Sequence, residues 1–508
     1  MSNTTIGLLI VIAVYLTAMV LIGVYYSAKT KNTSDFYLGG RKLGPFVTAM
    51  SAEASDMSSW LLMGLPGVAY LSGCAEAGWT AIGLAIGTYL NWLIVAKRLR
   101  RYTVKANNSI TIPEFFSNRY RDNSHAILAI SAIFIVVFFV PYTASGFAAC
   151  GKLFATLFGI DYVPAMIISA IIIVAYTALG GYLAASTTDL IQSIIMTGAL
   201  VVVVVFGVNV AGGMDVVMDN AKSLSGYLSL TAIHDPVSRT ASPYSALTIA
   251  STLAWGLGYF GMPHILLRFM GIENENKLKL SRRIASIWVV ISMAVAIFIG
   301  IIGYSMSKAG VIDVLEGSSQ AEELIIRVSM FLSEHGVLAI IMAGLILSGI
   351  LACTMSTSDS QLLAASSSVS QDLLKGCFGM KLSNKASMNV ARLTVVLISV
   401  VGVIIAWNPN SSVFRIVSFA WAGFGATFGP LMLFSLFWKR TNRYGALAGM
   451  ITGGAMVFIW KYVIAPIGGI WGIYELLPAF VLSSIVIVAV SLLTPPPAKE
   501  IVEEFESV

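Results

Sequence analysis

Long apolar runs alternate with short polar clusters along the whole chain. The runs lie near 5–27, 46–71, 78–96, 125–151, 163–179, 190–211, 245–267, 284–306, 337–366, 388–407, 414–437, 444–464 and 477–494. Runs of about 20 apolar residues are long enough to cross a bilayer as α-helices, so the pattern predicts thirteen membrane-spanning helices. The first run has no basic residue before it and no small-x-small site after it, and reads as a helix rather than a cleaved leader.

The polar clusters are asymmetric. With the N-terminus placed outside, the cytoplasmic segments hold 23 of the 31 Lys and Arg residues, among them Lys29, Lys31, Arg41, Lys42, Arg98, Arg119, Arg121, Arg268 and Arg282. The outer segments hold Lys152, Lys222, Arg239, Lys308 and Arg327. Because cytoplasmic loops collect basic residues, this predicts an outside N-terminus and a cytoplasmic C-terminus. Of the longer outer segments, 212–244 reads as a modest loop and 307–336, with Asp313, Glu316, Glu322, Glu323 and Glu334, as a solvated helical loop, and the acidic end IVEEFESV (501–508) reads as disordered.

Composition narrows the class. Of 508 residues, 57% are hydrophobic and 11% charged, against roughly 25% charged in soluble domains. Mean hydropathy is +0.84. That excludes a soluble enzyme, a nucleic-acid binder and a disordered scaffold, and it disfavours a β-barrel, whose strands alternate polar and apolar residues. The net charge of +6 reflects orientation. Four scattered cysteines and four scattered histidines suggest no disulfide or metal framework.

Three runs break the apolar rule. MSAEASDMSSWLLMGLPG (50–67) places Glu53, Ser55, Asp56, Ser58 and Ser59 together. TLAWGLGYFGMPHI (252–265) carries Gly256, Gly258, Gly261 and Pro263 among Trp255, Tyr259 and Phe260. In the run from 344 to 373, Ser356, Thr357, Ser358 and Ser360 surround Asp359. Serines alone fit close helix packing, and hydroxyls also back-bond to helix carbonyls. Carboxylates with small polar neighbours, and a Gly/Pro-interrupted aromatic segment, instead predict discontinuous helices, tolerated at membrane depth only where they line a cavity. Freed carbonyls and hydroxyls suit a hard monovalent cation. No Walker motif, HExxH or Ser-His-Asp pattern points to ATP or to catalysis. The expectation is therefore a secondary transporter and not an enzyme. With the first helix peripheral, the second and seventh runs each open a unit of five, as in inverted-repeat transporters.

These residues resemble the solute:sodium symporter family over nearly the whole chain. The similarity is carried by LGGRKLGPFVTAMSAEASDMSSWLLMGLPG (38–67), ALGGYLAASTTD (178–189), WGLGYFGMPHILLRFM (255–270) and MSTSDSQLL (355–363). The resemblance implies an all-α polytopic fold with a 5+5 inverted-repeat, leucine-transporter-type core, divided as 1–44 peripheral, 45–211 first repeat, 245–437 second repeat, 438–494 two peripheral helices and 495–508 tail. It implies sodium-coupled uptake of L-proline across a bacterial cytoplasmic membrane, with sodium as co-transported ion and no organic cofactor, ATP or nucleic acid. The implied sodium ligands are the carbonyls of Ala54, Met57 and Cys353 and the hydroxyls of Ser356 and Thr357, with Asp56 beside or on the ion. The implied substrate residues are Ser58, Trp60, Tyr142, Trp255, Tyr259 and Pro263, and Arg41 and Asp189 are implied in coupling or gating. The aromatic faces suit proline's ring and ammonium, and the backbone N–H groups of a half-helix suit its carboxylate. Glu53, Ser59, Thr187 and Met262 depart from the family's pattern, so another small solute, or protons in place of sodium, stand as alternatives.

Overall fold

The structure, a computed structural model, describes residues 2–27 and 32–508; Lys29 and Lys31, counted above toward the cytoplasmic charge, lie outside them. It is helical almost throughout. The elements that matter here are α1 (Asn3–Ser27), α2 (Pro45–Ser59), α3 (Leu65–Ser72), α4 (Cys74–Leu90), α5 (Ala126–Phe158), α6 (Tyr162–Val210), α7 (Ala246–Leu253) and α8 (Pro263–Gly271). They continue with α9 (Leu278–Lys308), α10 (Val337–Ser367), α11 (Asn384–Ile405), α12 (Val413–Phe437), α13 (Arg443–Ile459), α14 (Leu476–Leu493) and α15 (Lys499–Glu506).

Among the described residues, ten helices are long and apolar enough to cross a membrane. The expected thirteen are not reached by long continuous helices, for a physical reason. The runs 46–71 and 245–267 are each broken into two short helices, α2 with α3 and α7 with α8. The run 163–179 contributes only a shorter apolar helix, Tyr162–Ala175, before α6 kinks at Gly181 (φ 69°). Other boundaries move outward: the third span runs on to Lys105 and the ninth to Cys377.

α10 lies at the centre, packed against α1, α2, α5 and α6. α12 covers the 254–261 segment and also packs on α5, α13 and α14. Close approach at the second break depends on glycine. A Cβ at Gly87 would lie 2.2 Å from the Gly256 carbonyl oxygen, and one at Gly258 would lie 2.0 Å from Trp421 Nε1. At one end of the bundle a single parallel bridge joins Leu43, just before α2, to Ile272, just after α8. The start of one interrupted pair is thus tied to the end of the other.

Three expectations about polar segments change. The 307–336 segment is helical as expected, with Gly317–Ala321 and Leu324–Ser333, but it is not solvated throughout, because Glu322 is buried. Segment 212–244 folds into a short helix, Met214–Lys222, and a two-stranded hairpin, Ala232–His234 with Ala241–Pro243. The acidic tail is ordered as α15, because its apolar side chains and acids both find partners on the bundle. Phe505 is buried beneath the guanidiniums of Arg98 and Arg119, 4.6 and 5.1 Å from its ring centre. Arg121 pairs with Glu504 at 2.5 Å and Lys439 with Glu506 at 2.8 Å.

Candidate functional site

The first break begins at Ser58, whose φ of 43° lies in the left-handed region. A non-glycine residue is held there only when its surroundings compel it. Here Ser58 Oγ accepts the Trp60 N–H at 3.1 Å, and a π-helical turn, Trp60–Gly64, carries the chain into α3. The second break is the 3₁₀ segment Ala254–Gly261, which ends where Pro263 opens α8, a position at which a missing N–H costs nothing.

Between the first break and α10 the structure brings together most of the expected cation ligands. Ser356 Oγ donates to the Ala54 carbonyl at 2.8 Å and lies 3.2 Å from the Cys353 carbonyl. Thr357 Oγ1 lies 3.0 Å from the same Cys353 oxygen. The Met57 carbonyl instead accepts the Trp60 N–H. Asp56 faces the other break: its Oδ2 accepts from the Tyr259 hydroxyl, and its backbone carbonyl accepts from Tyr142 at 3.2 Å.

Next to Asp56 and Met57 is a small cavity of about 10 Å³, also lined by Trp60, Tyr142 and Trp255. Of the other substrate candidates, Ser58, Tyr259 and Pro263 do not line it; they shape the two breaks around it. Aromatic rings close the cavity off from a larger open vestibule. Phe414 stacks on Trp60 at 6.0 Å and lies 5.5 Å from Trp255, which in turn stacks on Tyr474 at 5.2 Å. Trp255 lines both spaces, and Phe414, Glu322 and Arg415 line the vestibule. The Trp60 indole Nε1–H is buried without a partner among the described residues.

Asp189 binds Arg268, and the pair organises four helices. Arg268 Nη2 reaches Asp189 Oδ2 at 3.1 Å, Ser55 Oγ at 2.9 Å and Ser360 Oγ at 2.6 Å, while Nε donates to Ser51 at 3.0 Å. Asp189 Oδ2 also accepts from Ser51 at 2.6 Å. Arg268, on α8, thereby joins α2, α6 and α10. It is 1% exposed, so it does not belong with the cytoplasmic loop charges. Lys152 is likewise buried in α5 and not in an outer loop, paired with Glu322 at 2.7 Å.

Arg41 lies at the bridged end of the bundle. It donates to the Met270 carbonyl at 2.6 Å and the Ser109 carbonyl at 2.8 Å. Burial, and then the neighbouring charge of Arg100, lower its guanidinium from 12.5 to about 10. Glu53 is buried, with Oε1 accepting from Trp92 Nε1 at 3.0 Å and Oε2 unpartnered.

The residues that sequence reasoning passed over have recognisable signals. Arg268 is a lone charge in the apolar stretch HILLRFM. Phe414, Val417 and Trp421 form an i, i+3, i+7 stripe on α12, although such a stripe reads equally well as ordinary core.

Two interrupted helices that meet at an enclosed polar centre, wrapped by continuous helices, define a secondary transporter embedded in a membrane as a multi-pass protein. The sequence profile of the Sodium:solute symporter family matches residues 36–453. The chain belongs to the sodium:solute symporter family. It is 42% identical to the sodium/proline symporter of Haemophilus influenzae, over 98% of this chain and 97% of that one. It is 41% identical to the osmoregulated proline transporter OpuE of Bacillus subtilis, over 97% and 96%. Its fold matches a Na⁺-coupled sialic acid symporter in a substrate-bound outward-open state, with TM-score 0.78 at 19% identity over 97% of this chain and 99% of that one. It also matches a nucleobase-cation-symport-1 family transporter in a closed conformation, with TM-score 0.56 at 14% identity over 94% and 100%.

Proposed function

We propose that this protein couples the inward movement of sodium to uptake of L-proline by alternating access. The observation that carries the reading is the convergence of Ala54, Cys353, Ser356 and Thr357 oxygens next to a small ring-lined cavity. The sodium/proline symporters at 41–42% identity support the same substrate pair.

In this reading sodium enters from outside and binds the oxygens of Ala54, Met57, Cys353, Ser356 and Thr357, with Asp56 supplying negative potential. Binding draws α2 onto α10 and completes the cavity. Proline enters with its ring among Trp60, Trp255 and Tyr142. Its ammonium sits toward Asp56, and its carboxylate takes the indole Nε1–H of Trp60. Ser58, Tyr259 and Pro263 hold the breaks in shape. The core helices then rock against the scaffold and release both inside. The Arg268–Asp189 network and Arg41 lie on the cytoplasmic side of the site, with the N-terminus outside and the C-terminus inside. The membrane is the bacterial cytoplasmic membrane.

The driving force is adequate. One charge crossing 100 mV yields about 2.3 kcal/mol, and a tenfold sodium gradient about 1.4 kcal/mol more. Together these support roughly 500-fold accumulation for one sodium per substrate.

The test is uptake of labelled proline by the purified protein in vesicles. Uptake that needs an inward sodium gradient and a negative interior is the expected result. Uptake that ignores sodium and follows a pH gradient, or no proline uptake at all, would overturn the reading.

A further inference from the structure

The cavity has a second wall whose side chains are apolar: Leu84 from α4, and Val417 and Trp421 from α12. Its members differ in how firmly they are held. Trp421 is pinned. Its Nε1 donates to the Trp255 carbonyl at 2.7 Å, its ring meets Tyr259 edge-on at 5.1 Å, and Gly258 leaves no free space beside it. Phe414, one turn before Val417, is held by stacking on Trp60 and by a tilted contact with Trp255. Val417 stands between these two locked rings on the same face of α12, and it is β-branched, so it has little rotamer freedom to yield. Leu84 is also buried, on a stretch of α4 held tightly by Gly83 and Gly87 against Leu253 and Gly256. A wall of this kind discriminates by shape, because a larger occupant finds nothing that can move aside.

Building on the proline reading, we propose that Val417, backed by Leu84 and Trp421, sets the ring size the transporter accepts, admitting a five-membered imino acid and rejecting the six-membered homologue. The polar groups of the site grip only the ammonium and carboxylate, which cyclic imino acids share whatever their ring size. Discrimination between them therefore falls to the apolar wall. In a hydrophobic pocket one methylene is worth about tenfold or more in specificity.

The experiment is competition against labelled-proline binding in sodium buffer by azetidine-2-carboxylate, proline and pipecolate, with four-, five- and six-membered rings. The unmodified protein is expected to bind pipecolate at least about tenfold more weakly than proline. Val417→Ala should narrow that gap by about tenfold, and Val417→Leu should widen it while improving azetidine-2-carboxylate relative to proline. Val417→Leu keeps the site filled, so its result stands alone if the alanine variant does not fold. Unchanged ratios in variants that still bind proline overturn this inference alone. Absence of proline binding by the unmodified protein overturns the substrate reading itself.

Discussion

The hydroxyl of Ser356 lies 2.8 Å from the carbonyl oxygen of Ala54, so α10 and the unwound end of α2 are joined by an atom that can serve either as a hydrogen-bond donor or as a cation ligand. Without an ion, the proton of Ser356 holds the two helices together. In the proposed sodium-bound state the hydroxyl turns a lone pair to the cation, and the attraction passes through the ion instead.

The consequence is measurable. Ser356→Ala and Thr357→Ala should each raise the sodium concentration for half-maximal proline binding by about tenfold or more, the equivalent of about 1.4 kcal/mol. A sodium titration of labelled-proline binding checks this. Unchanged titrations in both variants would remove these hydroxyls from the ion's ligands.

Arg268→Met should abolish uptake and destabilise the protein by about 3–5 kcal/mol, because it leaves Asp189 buried without its partner. Adding Asp189→Asn should restore part of that stability. Thermal unfolding of the two single variants and the double variant measures the coupling. Simple additivity would show that the pair acts independently.

Trp60→Phe keeps a ring to stack on Phe414 but removes an indole N–H that has no partner among the described residues. A hydrogen bond to a charged group contributes about 1.5–3 kcal/mol, so the dissociation constant for proline should rise about tenfold or more. Trp255→Ala should weaken binding further by opening the ring wall. Equilibrium binding at saturating sodium distinguishes both from an effect on the ion.

Glu322→Gln tests the outer closure. Glu322 accepts the backbone N–H groups of Val413 and Phe414 at 3.0 Å and pairs with Lys152, so it fixes the first turn of α12 and the Phe414 ring with it. The amide retains the shape but leaves Lys152 buried and uncompensated. Bound proline should dissociate severalfold faster, as read by chase with unlabelled proline, and Glu322→Asp should recover part of the retention.

Much of this arrangement was legible in the residues, for reasons that differ by position. The breaks at Ser58 and in 254–261 were readable because a carboxylate such as Asp56 is expensive inside a membrane unless it serves a cavity or a partner, and because glycines and a proline clustered among aromatic residues interrupt a helix. Ser356 and Thr357 were readable only through resemblance, since hydroxyls that back-bond to their own helix look the same in a string of letters. Arg268 and Lys152 were misplaced because a charge near the end of an apolar run resembles a loop residue until its partner, far away in sequence, is known. The Phe414, Val417 and Trp421 stripe was hidden because a wall facing a cavity and a face packed on a neighbour have the same periodicity. The tail was misread because its acids looked solvated, whereas basic groups that bind them come from segments far off in sequence, Arg121 for Glu504 and Lys439 for Glu506.

The Arg268–Asp189 pair also bears on how the chain is built. Arg268 stands buried in the last turn of α8, and a charge at membrane depth is costly unless it is paired. Asp189 precedes Arg268 by 79 residues, so the ribosome delivers the acid before the base. By the time α8 leaves the translocon, a carboxylate and the serines of α2 are already in the bilayer to receive it. The order of synthesis thus supplies the acceptor first, and α8, which is short and charged, enters the membrane as a late guest of helices already made.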